Sequence, residues 1–259
     1  MRRCLPAAAS LLLALLSVAA AAQELPPAER YHLRGEYWRW SVNLDSEFQK
    51  GFGTEPGTLI DGQTVLGLTG GNSNVVRGAI RFGSSAKIRG SWIQMDYRAD
   101  QVTPETFNFG NETFFKGDRV VTAVKGSLYT GDFQYDFVRK PQGFLGIYLG
   151  AVLLDADSVI VAPDQGKQVA QTGRFPVPII GTSGRTYYGK HLSFEGEVGW
   201  GTIGSKGHVS VLGLTGRLHL SDRLAFVGGY HRIHMHGHDD RDSVDVSMGG
   251  WLFGGELSL

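Results

Sequence analysis

Hydrophobic and polar residues alternate singly along most of the chain, in segments of about ten residues separated by clusters of Gly, Asp, Asn, Ser and Pro. A period of two sends successive side chains to opposite faces, so the pattern predicts strands with one apolar and one polar face. The last segment sets Trp251, Phe253, Leu257 and Leu259 against Gly254, Glu256 and Ser258. Another sets Leu192, Phe194, Val198 and Trp200 against Ser193, Glu195, Glu197 and Gly199. A third sets Leu212, Leu214, Leu218 and Leu220 against Val211, Thr215, Arg217 and His219. Ten strands are expected: 31–42, 74–83, 86–98, 120–138, 143–157, 175–188, 190–202, 208–220, 223–236 and 247–258. Helical periodicity is almost absent.

Long connections are expected at 43–73, 99–119, 158–174 and, less clearly, 237–246, and tight ones at 83–85, 140–142, 189–190 and 221–222; the short loop 203–207 breaks the rule. Long loops at one end and tight turns at the other describe a transmembrane barrel. A soluble sandwich or lipocalin-like barrel also alternates. Two features favour the membrane. Aromatic residues gather near strand ends, as in Tyr37, Trp38 and Trp40 or Phe133, Tyr135 and Phe137, like interfacial girdles. The opposite faces carry too many charges for a soluble core. The expected fold is all-β, a closed antiparallel transmembrane β-barrel of about ten strands, with eight or twelve as alternatives, filling residues 23–259 as one domain.

The start of the chain reads as a secretory signal peptide over 1–22: Met1-Arg2-Arg3, an apolar stretch from Leu11 to Ala19, and Ala20-Ala21-Ala22 before Gln23. The single cysteine, Cys4, falls in this leader, so the exported chain has no disulfide and no thiolate chemistry. Basic and acidic residues balance at 25 each, which gives a nucleic-acid partner no support. No later run is long and apolar enough for a spanning helix.

Several motifs carry a resemblance: Gly35-Glu36-Tyr37-Trp38, Tyr135-Asp136-Phe137 before a short turn, Gly146-Ile147-Tyr148-Leu149-Gly150, Gly228-Gly229-Tyr230, and Phe253-Gly254-Gly255-Glu256-Leu257. With these, most of residues 30–259 resembles the small bacterial outer-membrane β-barrels of the OmpA-like superfamily. The resemblance implies a Gram-negative outer membrane, contact with its lipids and lipopolysaccharide, and the barrel assembly machinery as a partner. Such barrels usually end in Phe or Trp; this chain ends in Leu259. The oligomeric state is left open.

Gly199-Trp200-Gly201-Thr202-Ile203-Gly204 matches a dinucleotide fingerprint, but another strand follows where a helix is required. Gly184 to Lys190 matches the core of a phosphate loop, but His191 stands where the hydroxyl residue should be, so it reads as a turn. No GxSxG elbow occurs. His208 and Ser210 are the only hint of a lipid A deacylase-like hydrolase, and no catalytic residue is expected. Four of the eight histidines fall between His231 and His238. Of these, His234, His236 and His238 share one face of a strand, which makes a divalent metal the one candidate cofactor.

If the apolar faces meet lipid, the polar faces line the lumen. Arg34, Glu36, Arg77, Arg81, Arg89, Asp132, Asp136, Glu195, Glu197, Arg217 and Glu256 then point inward, with both signs represented, as mutual pairing requires. Loop 203–207 sets Arg217 opposite Ser193 and diagonal to Glu195. The expectation is a non-catalytic outer-membrane barrel with a salt-bridged, largely occluded lumen and loops that meet ligands or surfaces. A lipid-modifying hydrolase and a narrow passive channel are the alternatives.

Overall fold

A computed structural model describes residues 29–53, 55–239 and 241–259; the leader at 1–22, with Cys4, lies outside them. The strands are β1 (Leu33–Gln49), β2 (Ile60–Asp61), β3 (Gly70–Phe82), β4 (Ala86–Val102), β5 (Phe107–Phe109), β6 (Glu112–Phe114), β7 (Arg119–Lys140), β8 (Gly143–Ala162), β9 (Lys167–Tyr188), β10 (Leu192–Thr202), β11 (Gly207–His219), β12 (Leu224–His238) and β13 (Ser243–Ser258). Ten of them, β1, β3, β4 and β7 to β13, pair antiparallel in chain order. β13 then pairs with β1, from Arg34↔Ser258 to Gln49↔Ser243, and closes the barrel. Closure leaves no unpaired edge around the ring, which lipid would not tolerate.

The strands run further than alternation suggested. The expected loop 158–174 is mostly hairpin: β8 and β9 stay paired to Ala162↔Lys167, and only a 3-10 turn at Pro163–Gln165 and Gly166 connect them. This hairpin rises above β10, which reaches β9 only up to Gly201↔Ile179. Pro176 and Pro178 sit on the edge left bare above that point. An edge is where a strand tolerates residues that have no N–H to donate.

On several barrel strands the alternation phase is kept while the polarity of the two faces reverses part-way up. On β4, Lys87 and Arg89 point inward while Ile88 and Trp92 are exposed outside. Above them Ile93, Met95 and Tyr97 are buried inside, and Gln94, Asp96 and Arg98 are exposed outside. On β7, Phe133, Tyr135 and Phe137 face out and Gln134 and Asp136 in, whereas higher up Leu128 and Val120 are buried and Lys125 is exposed. The barrel therefore has two storeys. The one beside the tight turns is apolar outside and ionic inside. The one beside the longer loops is polar outside and apolar inside, like a soluble protein.

The boundary is marked by exposed aromatics. Register places Tyr37, Val76, Trp92 and Tyr129 in one cross-strand row. Below it, the outward residues of β7 from Tyr129 to Phe137 cover about 26 Å along the strand, roughly 20 Å along the axis at a 40° tilt. That is comparable with the apolar band of a membrane barrel. Trp38 and Trp40, expected in the aromatic girdle, are instead 2% and 1% exposed and lie inside. They share a phase with Arg34 and Glu36, and above the boundary that phase belongs to the apolar core.

Candidate functional site

The lumen beside the turns is filled by an ion-pair system in two groups, one around Arg217 and one around Arg89, with no salt bridge between them among the described residues. Arg217 Nε is 2.6 Å from Glu256 Oε2, and its Nη2 is 3.2 Å from Glu195 and 3.3 Å from Glu36. Arg185 Nη2 shares the same anions, at 2.6 Å from Glu195 and 3.2 Å from Glu256. Arg34 Nε lies 3.3 Å from Glu256. Above this group, Arg89 bridges Asp132 at 2.8 Å and Glu197 at 3.0 Å, and Arg77 reaches Glu197 at 3.1 Å. Below it, Asp136 meets Arg81 at 3.4 Å and Lys87 at 3.3 Å.

Glu29, from the segment ahead of β1, enters the lumen from the turn end. Its carboxylate lies 3.2 Å from Arg34, 2.7 Å from Arg81 and 3.4 Å from Arg185, and accepts a 2.6 Å hydrogen bond from the Tyr187 hydroxyl. Tyr31 follows it in, with the Arg34 guanidinium 3.8 Å above its ring. The system thus holds seven cations (Arg34, Arg77, Arg81, Lys87, Arg89, Arg185, Arg217) and seven carboxylates (Glu29, Glu36, Asp132, Asp136, Glu195, Glu197, Glu256). Equal numbers leave no net charge to concentrate one sign of ion.

All eleven lumen residues named from sequence lie in this system; Glu29, Lys87 and Arg185 were not foreseen. Lys87 carried a signal, since it shares the phase of Arg89. Arg185 was obscured because its outward neighbours on β9, Thr182, Gly184 and Thr186, are not apolar. Glu29 precedes the first strand, where no periodicity exists to orient it.

A cavity of about 50 Å³ lies between the storeys, lined by Arg89, Glu197, Tyr148 and His231 on one side and by Trp38, Ile93 and Leu252 on the other. It is too small for an organic ligand; a cavity that takes benzene is about 150 Å³. Above it, Trp40, Val42, Leu44, Met95 and Met248 form an apolar core. The core is roofed by Ile60, Leu66 and Leu68 of the 50–69 connection and by Phe107 and Phe114 of the β5–β6 hairpin, whose rings stack at 4.9 Å. The lumen is closed twice, first by charge and then by apolar packing.

Among the candidate catalytic residues, His208 and Ser210 stand on the outer wall, and the ring neighbours of His208 are His234 and His236. A different serine–histidine pair does meet: Ser193 Oγ is 2.8 Å from His219 Nε2. Both are buried within the lumen, Ser193 at 0% exposure, which leaves no surface for a substrate to reach.

His234, His236 and His238 lie along the outer face of β12, just above Tyr230 and Trp251. His208 of β11 and Asp245 of β13 stand beside them, in one cross-strand row with His236. Neither neighbour was foreseen, because each comes from another strand. Among the described residues, no three or more His, Cys, Asp or Glu donors converge on one point.

The gapped glycine motif has a packing explanation. Tyr148, Gly181 and Gly199 share one cross-strand row, and the Tyr148 ring crosses the two glycines on the inner wall. At Gly201 a Cβ would fall 2.0 Å from the Pro178 carbonyl oxygen. In the phosphate-loop look-alike, Gly189 turns the β9–β10 hairpin at φ +68°.

No protein-family model matches the chain, and no curated protein is similar to it in sequence. Its fold is similar to that of the outer membrane protease OmpT from Escherichia coli, with a TM-score of 0.58 and 9% identity over 88% of this chain and 96% of that one. Lower scores relate it to Ail of Yersinia pestis (TM-score 0.39, 9% identity, 86% and 99% covered) and to the translocator domain of the autotransporter NalP from Neisseria meningitidis (0.38, 11%, 96% and 93%). At 9% identity the likeness to OmpT is one of fold alone, and the strand pairing of this chain makes that fold a closed ten-stranded β-barrel.

Proposed function

We propose that this chain is a non-catalytic, non-conducting integral barrel of a Gram-negative outer membrane, exported by the leader at 1–22 and acting through its loop-side storey. The observation that carries this reading is the double closure of the lumen. A charge-balanced ion-pair system blocks the turn end, and an apolar core with a loop roof blocks the other. Nothing in the lumen then serves a solute or a substrate, which leaves the outer wall and the rim as working surfaces. The exposed apolar band supports contact with membrane lipids, and the polar wall above it lies at the height of lipopolysaccharide headgroups. The closing strand β13 is what the assembly machinery would recognise, and kinship with the OmpA-like superfamily rests on the sequence motifs alone.

Conductance in planar bilayers tests the reading. The unmutated protein is expected to give no steady, porin-sized openings; such openings would establish the channel reading instead. Among the described residues, the buried Ser193–His219 pair is the observation that favours a hydrolase. Incubation with labelled lipopolysaccharide and phospholipid is expected to leave both intact, and release of a fatty acid would overturn the non-catalytic assignment.

A further inference from the structure

The outer wall carries a group of side chains that the closed lumen does not use. Asp245, His236 and His208 occupy one cross-strand row on β13, β12 and β11, and His234 stands two residues from His236 on the same face. Asp245 lies against both histidines of β12: His236 Nδ1 is 3.1 Å from Oδ2, and His234 Nδ1 is 3.5 Å from Oδ1. His234 Nδ1 is shielded from solvent and makes no hydrogen bond. A carboxylate facing Nδ1 favours the proton on that nitrogen and leaves the Nε2 lone pair free, which is the arrangement of a metal-ligating histidine with an acidic outer partner.

Ring spacing supports the same reading. Three imidazoles bound to one tetrahedral ion, with metal–nitrogen bonds near 2.0–2.1 Å, have ring centres about 5 Å apart. The His208 ring lies 5.5 Å from that of His234 and 5.4 Å from that of His236. Their donors do not meet at one point in the structure. Side chains that are 29% and 34% exposed at His234 and His236 leave room for the rotation that would bring them together. The His238 ring is 5.7 Å from that of His236, but it fits less well, because four residues of extended strand separate its Cα from that of His234 by about 13 Å and Asp245 pairs with His234 and His236 instead.

We propose that His208, His234 and His236 form a divalent transition-metal site on the outer wall just above the aromatic boundary, with Asp245 as the residue that orients two of the imidazoles. Neutral imidazole donors suit zinc, copper or nickel better than magnesium or calcium. The inference does not depend on whether the lumen conducts.

The test is titration of the folded, detergent-solubilised protein with zinc and nickel by calorimetry, and with cobalt(II) by absorption. One ion per chain and the intense visible bands of a tetrahedral cobalt site are expected. His208→Ala, His234→Ala and His236→Ala should each weaken binding by tenfold or more, Asp245→Asn by about tenfold, and His238→Ala by less than threefold. Heat-modifiable gel migration checks that each variant is folded; His→Gln at the same position replaces any alanine variant that loses it. No binding by the parent, or a His208→Ala variant that binds as the parent does, overturns the proposal. So does a His238→Ala variant that loses binding as fully as His234→Ala.

Discussion

The hydroxyl of Tyr148 occupies the space where a side chain on Gly199 would stand: a Cβ built at Gly199 falls 2.2 Å from Oη. The two residues share a cross-strand row, with Gly181 between them. The aromatic ring therefore spans three strands at the junction of the ionic and apolar storeys. Gly199→Ala is expected to lower stability by about 1–3 kcal/mol, the usual cost of overpacking. Tyr148→Phe should be close to neutral, because the buried hydroxyl has no hydrogen-bond partner to lose. Thermal unfolding in detergent compares the two, and a larger loss for Tyr148→Phe would contradict this packing.

Glu29 neutralises three arginines from outside the strand ladder. Glu29→Ala leaves Arg34, Arg81 and Arg185 short of one buried anion, and a cost of about 3–5 kcal/mol is expected. Arg217→Ala should cost on the order of 3 kcal/mol, since it leaves Glu36 without its ion-pair partner and weakens the hold on Glu195 and Glu256. Unfolding midpoints in denaturant measure both, and parental stability in Glu29→Ala would show that the segment ahead of β1 does not plug the lumen.

The polarity reversal on β4 predicts where the bilayer ends. Leu149→Arg, in the middle of the apolar band and 64% exposed, should cost about 2–4 kcal/mol in a lipid bilayer. Gln94→Arg, one outward position above Trp92, should change stability by less than about 0.5 kcal/mol. Equal effects in reversible folding into vesicles would rule out a boundary at Trp92.

At the loop rim, Asp242 accepts hydrogen bonds from Lys50 Nζ at 2.7 Å and from the Gly51 amide at 3.0 Å. Partial burial raises its pKa, but these two hydrogen bonds and the charges of Lys50 and Arg241 together outweigh that effect and hold the carboxyl below its ordinary value. A carboxyl depressed in the folded state contributes stability that is complete above the unfolded value near 3.9 and is lost as pH falls through the folded one. The Gly51 amide should therefore be protected from hydrogen exchange at neutral pH and lose that protection only below about pH 4. In Asp242→Asn, which lacks the charge, protection should already be weaker at neutral pH.

Alternation, a local property, was enough to locate all ten barrel strands and to send Arg77, Arg81 and Glu256 to the same side of the wall. A short loop was enough to set Arg217 beside Glu195, because hairpin register follows from loop length. An ion pair between strands distant in the chain, such as Arg217 with Glu36, required closure of β13 on β1. Glu29 depended on a segment with no period at all. The outer-wall histidines show the same division: His234 and His236 could be paired from their spacing, while His208 and Asp245 join them only through inter-strand register.

The sequence by itself determined that this is an alternating all-β chain, because side-chain direction in a strand depends only on the parity of position. It also contains the reversal at Trp92–Ile93, where the apolar phase moves from even to odd positions. In one dimension such a shift reads equally as a bulge, a strand end or a change of surroundings. Tertiary structure decided among these by continuing the β4 ladder without a break. The backbone phase is constant, and what changes at that height is the medium outside, from lipid to water.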